Sequence, residues 1–205
     1  MHRLRRLVPC LTLIALSSSL ALAGSVPFGV HADAKWFAHV DLDALKQTTV
    51  GAKMMDHLQQ GQADNKLAAL SSVFNFDPRS DLNDLVLYGF GNDRDGAVVV
   101  RGKFDPERLV TLVKAGEDYA GETYEGHQLH SWTDPKKCGT HKRAHGVVHA
   151  PDIIVFADDL SVLKKAVDVL DRRAPIMIDT ARFPGLNDSP RGGFIFAAAN
   201  MAEMI

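Results

Sequence analysis

Residues 85–104 read LVLYGFGNDRDGAVVVRGKF, and this stretch decides the fold. Two apolar runs, 85–90 and 96–104, flank Gly91-Asn92-Asp93-Arg94-Asp95-Gly96. A cluster of turn formers between two such runs predicts a β-hairpin. Along the second run Val98, Val100 and Phe104 share one face, while Arg101 and Lys103 share the other with Val99. One buried face and one partly wet face belong to an antiparallel sheet rather than to a parallel one covered on both sides.

On the N-terminal side, Trp36-Phe37-Ala38-His39-Val40 reads as a strand. Asp41 is placed to cap a helical turn carrying Leu42 and Leu45. Thr49 can cap a further helix with Val50, Met54 and Leu58 on one face, where Met54 and Met55 are expected to fill the core. Leu67, Leu70 and Phe74 repeat the helical spacing until Asp77-Pro78 stops it. On the C-terminal side, Asp105-Pro106-Glu107 supplies a cap, a proline at the first helical position and an acid in the first turn. The helix so opened has Leu109, Leu112 and Val113 as its apolar stripe. Strand character over 124–132, with Gly126 as a turn, precedes a polar loop at 134–142. A strand pair, 146–149 and 153–156, follows around Pro151-Asp152. Asp158 or Asp159 then caps a helix striped by Leu163, Ala166, Val167 and Leu170.

The expectation is an α+β domain over 33–171, mainly an antiparallel sheet with helices packed on one face. Residues 172–192 are rich in turn formers and read as a linker or long loop. Residues 193–205 read as the start of a second, truncated unit. Phe194-Ile195-Phe196-Ala197-Ala198-Ala199 is a strand, and Asn200, Met201 and Met204 match Asp41, Leu42 and Leu45.

Residues 1–32 carry an address. Arg3, Arg5 and Arg6 precede an apolar run from Leu7 to Ala23, and Ala21 and Ala23 are small residues at the −3 and −1 positions of a cut. A second cut lies after Ala32. This is the pattern of a secretory signal peptide, which places the mature chain in the periplasm or outside the cell. Removing the three arginines and no acid takes the formal charge from −2 to −5. A mildly acidic body has no electrostatic footprint for nucleic acid or anionic lipid, and no other stretch is apolar enough to span a membrane. Of the two cysteines, Cys10 belongs to the leader, so Cys138 has no intramolecular disulfide partner.

Candidate chemistry is sparse. Cys138, His141, His145 and His149 have the composition of a zinc set but not the spacing. On a strand, His145 and His149 share a face about 13 Å apart, too far for one ion. His127 and His130 point to opposite faces of their strand, and Cys138 with His141 makes only two ligands. The expectation is therefore no metal site. The turn around Asp93 and Asp95 lacks both the first ligand and the bidentate glutamate of a calcium loop, since Gly91 and Gly102 occupy those positions. No nucleophile elbow, zinc-protease helix or phosphate-cradling glycine loop is present. Of Asp41, Asp43, Asp84, Asp158 and Asp159 most sit where caps and turns need acids, and Trp36 and Trp132 are expected in half-buried strands. No catalytic or cofactor-binding residue is assigned.

The opening Lys35-Trp36-Phe37-Ala38-His39-Val40-Asp41, the entry Asp81-Leu82-Asn83-Asp84-Leu85 and the run Arg101-Gly102-Lys103-Phe104-Asp105 resemble a group of uncharacterised exported bacterial proteins. The resemblance spans about residues 35–170. It implies an envelope location and repeated α+β modules, and no activity. The functional expectation is a non-catalytic envelope protein that binds a partner or ligand through the sheet's exposed face or the 126–149 region. The alternative is a secreted hydrolase whose His/Asp site assembles only in the fold.

Overall fold

The structure is a computed structural model, and it describes residues 29–58, 61–92, 95–133, 143–177, 182–183 and 193–203. Residues 1–28 of the expected leader, Asp93, Arg94, Cys138, His141 and most of 178–192 lie outside the described residues.

The expected hairpin forms. Strand β2 (Leu82–Gly89) pairs antiparallel with β3 (Gly96–Gly102), Leu85 opposite Val100 and Leu87 opposite Val98. Asp95 closes the turn by accepting the Asn92 amide at 2.6 Å. Strand β1 (Trp36–Asp41) lies on the other side of β2. The Asp41 carboxylate accepts the Ala44 amide at 2.8 Å and so caps α1 (Leu42–Lys46), as its position predicts. Asp105 caps α5 (Pro106–Lys114) through the Arg108 amide, and Asp159 caps α6 (Leu160–Leu170) through the Ser161 amide.

The strand character expected over 124–132, with Gly126 as a turn, belongs to a hairpin of β4 (Ala120–Tyr124) and β5 (His127–Thr133). Its two turn residues, Glu125 and Gly126, both have positive φ, 49° and 85°. A two-residue turn of this hand matches the twist of its flanking strands. Strands β6 (Arg143–Ala150) and β7 (Ile153–Ala157) form the expected pair around Pro151-Asp152, and β8 (Ile195–Ala199) follows. All eight strands make one antiparallel sheet in the order β4-β5-β6-β7-β3-β2-β1-β8.

Several expectations are corrected. Strand β8 does not stand apart as a second unit within these residues: it hydrogen-bonds along β1, with Phe196 opposite His39, and ends in a 3-10 turn at Met201–Glu203. Edge β1 offers an unpaired row of amides and carbonyls, and β8 fills it. The stretch expected as a linker or long loop contributes Met177 and Phe183 to the core. Helix α2 (Thr49–Leu58) is capped by Thr48, one residue earlier than expected, through the Gly51 amide. Its Val50 and Met54 are exposed and Met55 is only half-buried, so the methionines are not core filler. The faces of β3 are also reversed. Ala97 and Val99 are fully buried, while Val98 and Val100 are half-buried.

That reversal follows from where α6 packs. Val162, Leu163, Ala166, Val167, Val169 and Leu170 are buried, and the helix lies across β7, β6 and β3. It covers the face that carries Val86, Tyr88, Val99, Val147 and Val155. Val30, Ala34, Met177 and Phe183 extend this cover toward β1, where Phe183 meets Phe37 edge-on. Helices α3 (Gly61–Phe74) and α4 (Pro78–Asp81) complete the chain order. Arg108 of α5 ties α3 in place by donating to the Ser72 and Val73 carbonyls.

Candidate functional site

The side of the sheet opposite α6 bears the largest aromatic side chains outside the core. Trp36, Trp132 and Phe156 project from it, because their strand positions alternate with the buried Phe37, Ser131 and Val155. Glycines in the strands let these rings lie down. A Cβ on Gly89 would come within 2.6 Å of the Trp36 indole, and one on Gly146 within 3.1 Å of Phe156 and 3.2 Å of Trp132. Trp132 and Phe156 meet edge-on at 6.5 Å. Trp36, Leu87, Val98, Trp132, Ala144 and Phe156 thus bound an open apolar cleft of about 340 Å³. Phe156 is 39% exposed and Ile195, on the same side, 60%. This is the exposed sheet face that the alternation of hydrophobicity anticipates, although on the opposite set of residues.

The histidines separate into different surroundings. His130 is buried, and its Nδ1 lies 3.0 Å from the Tyr119 hydroxyl. Burial, reinforced by the Lys114 charge, holds its pKa below the ordinary histidine value. His145 is buried on the α6 face, its Nδ1 2.7 Å from Ser131 Oγ across the strand pair. His31 is buried against Phe90 and accepts the Asp33 amide through Nδ1 at 3.0 Å; burial is the main cause of its lowered pKa. His145 and His149 do not converge, as their spacing predicts.

His127 and His149 do converge. The register that sets Leu129 opposite Val147 brings these two residues opposite each other on one face, their rings stacked at 4.6 Å and 16°. Asp171, the C-cap of α6, reaches down to both. Its Oδ2 is 2.9 Å from His127 Nε2 and its Oδ1 2.7 Å from His149 Nε2. Arg173 Nη1 also bonds Asp171, at 2.7 Å. Hydrogen bonds from the two histidines hold the Asp171 carboxyl below its usual pKa, against a desolvation effect that opposes them. Among the described residues this is the one group in which three ligand atoms lie within 4.8 Å of one another. The reading of the sequence compared histidines within each strand and missed the pair across strands. The signal that finds it is the β5–β6 register.

The acids named from the sequence gather in part. His39, Asp41, Asp43, Asp84, Arg101 and Asp152 line a polar cavity of about 330 Å³ at one end of β1–β3. Asp84 is buried and bonded to Arg101, and this bond is the main reason the Arg101 pKa is raised. Asp41 meanwhile serves as a cap, and Asp43 bonds Asn83 and Lys46. Asp158 lines the aromatic cleft, and Asp159 is the cap of α6.

No family model and no curated protein matches the chain. Among solved structures, the chain is similar to crystal forms of TP0453. Crystal form III matches with a TM-score of 0.45 and 9% identity, over 77% of this chain and 56% of that one. Crystal form I matches with a TM-score of 0.44 and 12% identity, over 84% of this chain and 62% of that one. The chain spans less than two thirds of the length of these TP0453 chains.

Proposed function

We propose that the chain is an exported, non-catalytic envelope protein that binds a protein partner through the apolar sheet face. The observation that carries this reading is the cleft in which Trp36, Trp132 and Phe156 lie over glycine positions and remain open to solvent. An exposed apolar surface of this kind costs solubility and marks an interaction site when it is contiguous. Its breadth favours the apolar anchor side chains of another protein over a small molecule enclosed on all sides. The histidines of β5 and β6 fall into three separate groups rather than one: His130 bonds Tyr119, His145 bonds Ser131, and His127 and His149 share Asp171 on the α6 side of the sheet.

Both tryptophans of the chain line the cleft, so intrinsic fluorescence reports on it alone. Titration with anilinonaphthalene sulfonate is expected to quench that fluorescence by energy transfer. Phe156→Asp, or Gly89→Ala, which displaces the Trp36 ring, should weaken binding at least tenfold. Unchanged binding in both variants removes the cleft from the reading.

A second reading, a hydrolase, has one observation in its favour: the 2.7 Å contact of Ser131 Oγ with His145 Nδ1 is within general-base distance. Ser131 is buried and does not line the cleft. Labelling of Ser131 by a fluorophosphonate, lost in His145→Ala, would establish that reading and overturn the first.

A further inference from the structure

We propose that His127, His149 and Asp171 form a site for one divalent transition-metal ion, of which Zn²⁺ is the representative. Each donor sits on a different rigid element. His127 opens β5 directly after the Glu125-Gly126 turn, His149 lies at the bulge between Val148 and Ala150 of β6, and Asp171 caps the C-terminus of α6. Two imidazole nitrogens and a carboxylate oxygen are the donor set that suits zinc. Around a tetrahedral ion with bonds near 2.1 Å, donors stand about 3.4 Å apart. Both nitrogens already lie within 3 Å of the carboxylate, and no two of the three atoms are more than 4.8 Å apart. Closing the shell therefore takes small ring rotations. Side-chain exposures of 12–20% leave an open position for water as the fourth ligand.

Electrostatics point the same way. A carboxylate at the C-terminus of a helix faces the negative end of the macrodipole, an unfavourable place unless cations gather there. Here Arg173 supplies one cation beside the two imidazoles, and a bound divalent ion would supply another. The guanidinium competes with a metal for Asp171 Oδ2, and this makes a prediction that a purely structural ion pair would not. Removing Arg173 should strengthen metal binding. His149 Nδ1 has no hydrogen-bond partner among the described residues, so its ring is oriented by stacking on His127 rather than by a second carboxylate. Lack of such an outer partner typically costs 10- to 100-fold in affinity, which points to micromolar rather than nanomolar binding.

The test is calorimetric titration of the chelator-treated protein with Zn²⁺ at pH 7.5, with Mg²⁺ as the control. One equivalent of Zn²⁺ should bind and Mg²⁺ should not. His149→Ala and His127→Gln should each weaken binding at least tenfold, and Arg173→Ala should tighten it several-fold. Circular dichroism identifies any variant that fails to fold, and the second histidine variant then decides. Absence of saturable Zn²⁺ binding, or binding unchanged in both folded histidine variants, overturns the proposal. The site lies on the α6 side of the sheet, so its failure leaves the aromatic cleft untouched, and the converse holds.

Discussion

Leu163→Ala and Leu112→Ala should differ sharply in cost, although the two helices that carry these residues are equally amphipathic. Leu163 is 0% exposed, and it packs from α6 onto a sheet face whose Val99, Val147 and Val155 are themselves fully buried. Strand pairing on either side of Val155 keeps this sheet face from collapsing into the space left by the three carbons removed. The loss therefore includes a cavity term and falls near the middle of the usual range for Leu→Ala, about 3 kcal/mol. For a chain of this size that corresponds to a fall in Tm of about 6–12 °C. Leu112 lies on α5, which has no fully buried residue, and its truncation should cost about 1 kcal/mol or less. Urea unfolding of both variants, with equal m-values confirming a common reference state, measures the difference. Costs equal within experimental error would refute the conclusion that α6, and not α5, carries buried core contacts.

Two further outcomes follow from the buried histidines and from the leader. His31 and His130 have pKa values below the ordinary 6.5, mainly through burial, so below that pH the unfolded chain binds protons that the folded chain does not. Their contribution to stability is complete above about pH 6.5 and declines as pH falls toward the folded values. The urea midpoint should drop across that window, and a His31→Gln, His130→Gln double variant should flatten the drop; a midpoint that rises on acidification contradicts it. Val30 is 1% exposed, its carbonyl accepts the Met177 amide at 2.9 Å, and His31 bridges to Ile176. A cut after Ala32 would remove about 1.5–3 kcal/mol of valine burial alone, so under the proposed export reading the mature N-terminus is expected at Gly24. N-terminal sequencing that returns Asp33 would exclude this.

What the sequence determined by itself was local. The Gly91–Gly96 turn joins its two strands, and Asp41, Asp105 and Asp159 cap their helices. Leu163, Ala166, Val167 and Leu170 form the buried stripe of α6. In each case the cause acts within a few residues: a side-chain oxygen reaching an amide two or three positions on, or a 3.6-residue period. Only the tertiary structure decided which side of β3 is covered. Valines occupy both sides, and the choice depends on α6, which follows some sixty residues later. It also decided that β8 pairs with β1, that the aromatic rings lie over Gly89 and Gly146, and that His127 and His149 meet over Asp171. These are matters of register and layer between remote segments. The free energy that fixes them is spread over burial of the whole sheet, so no single stretch of sequence carries its signature.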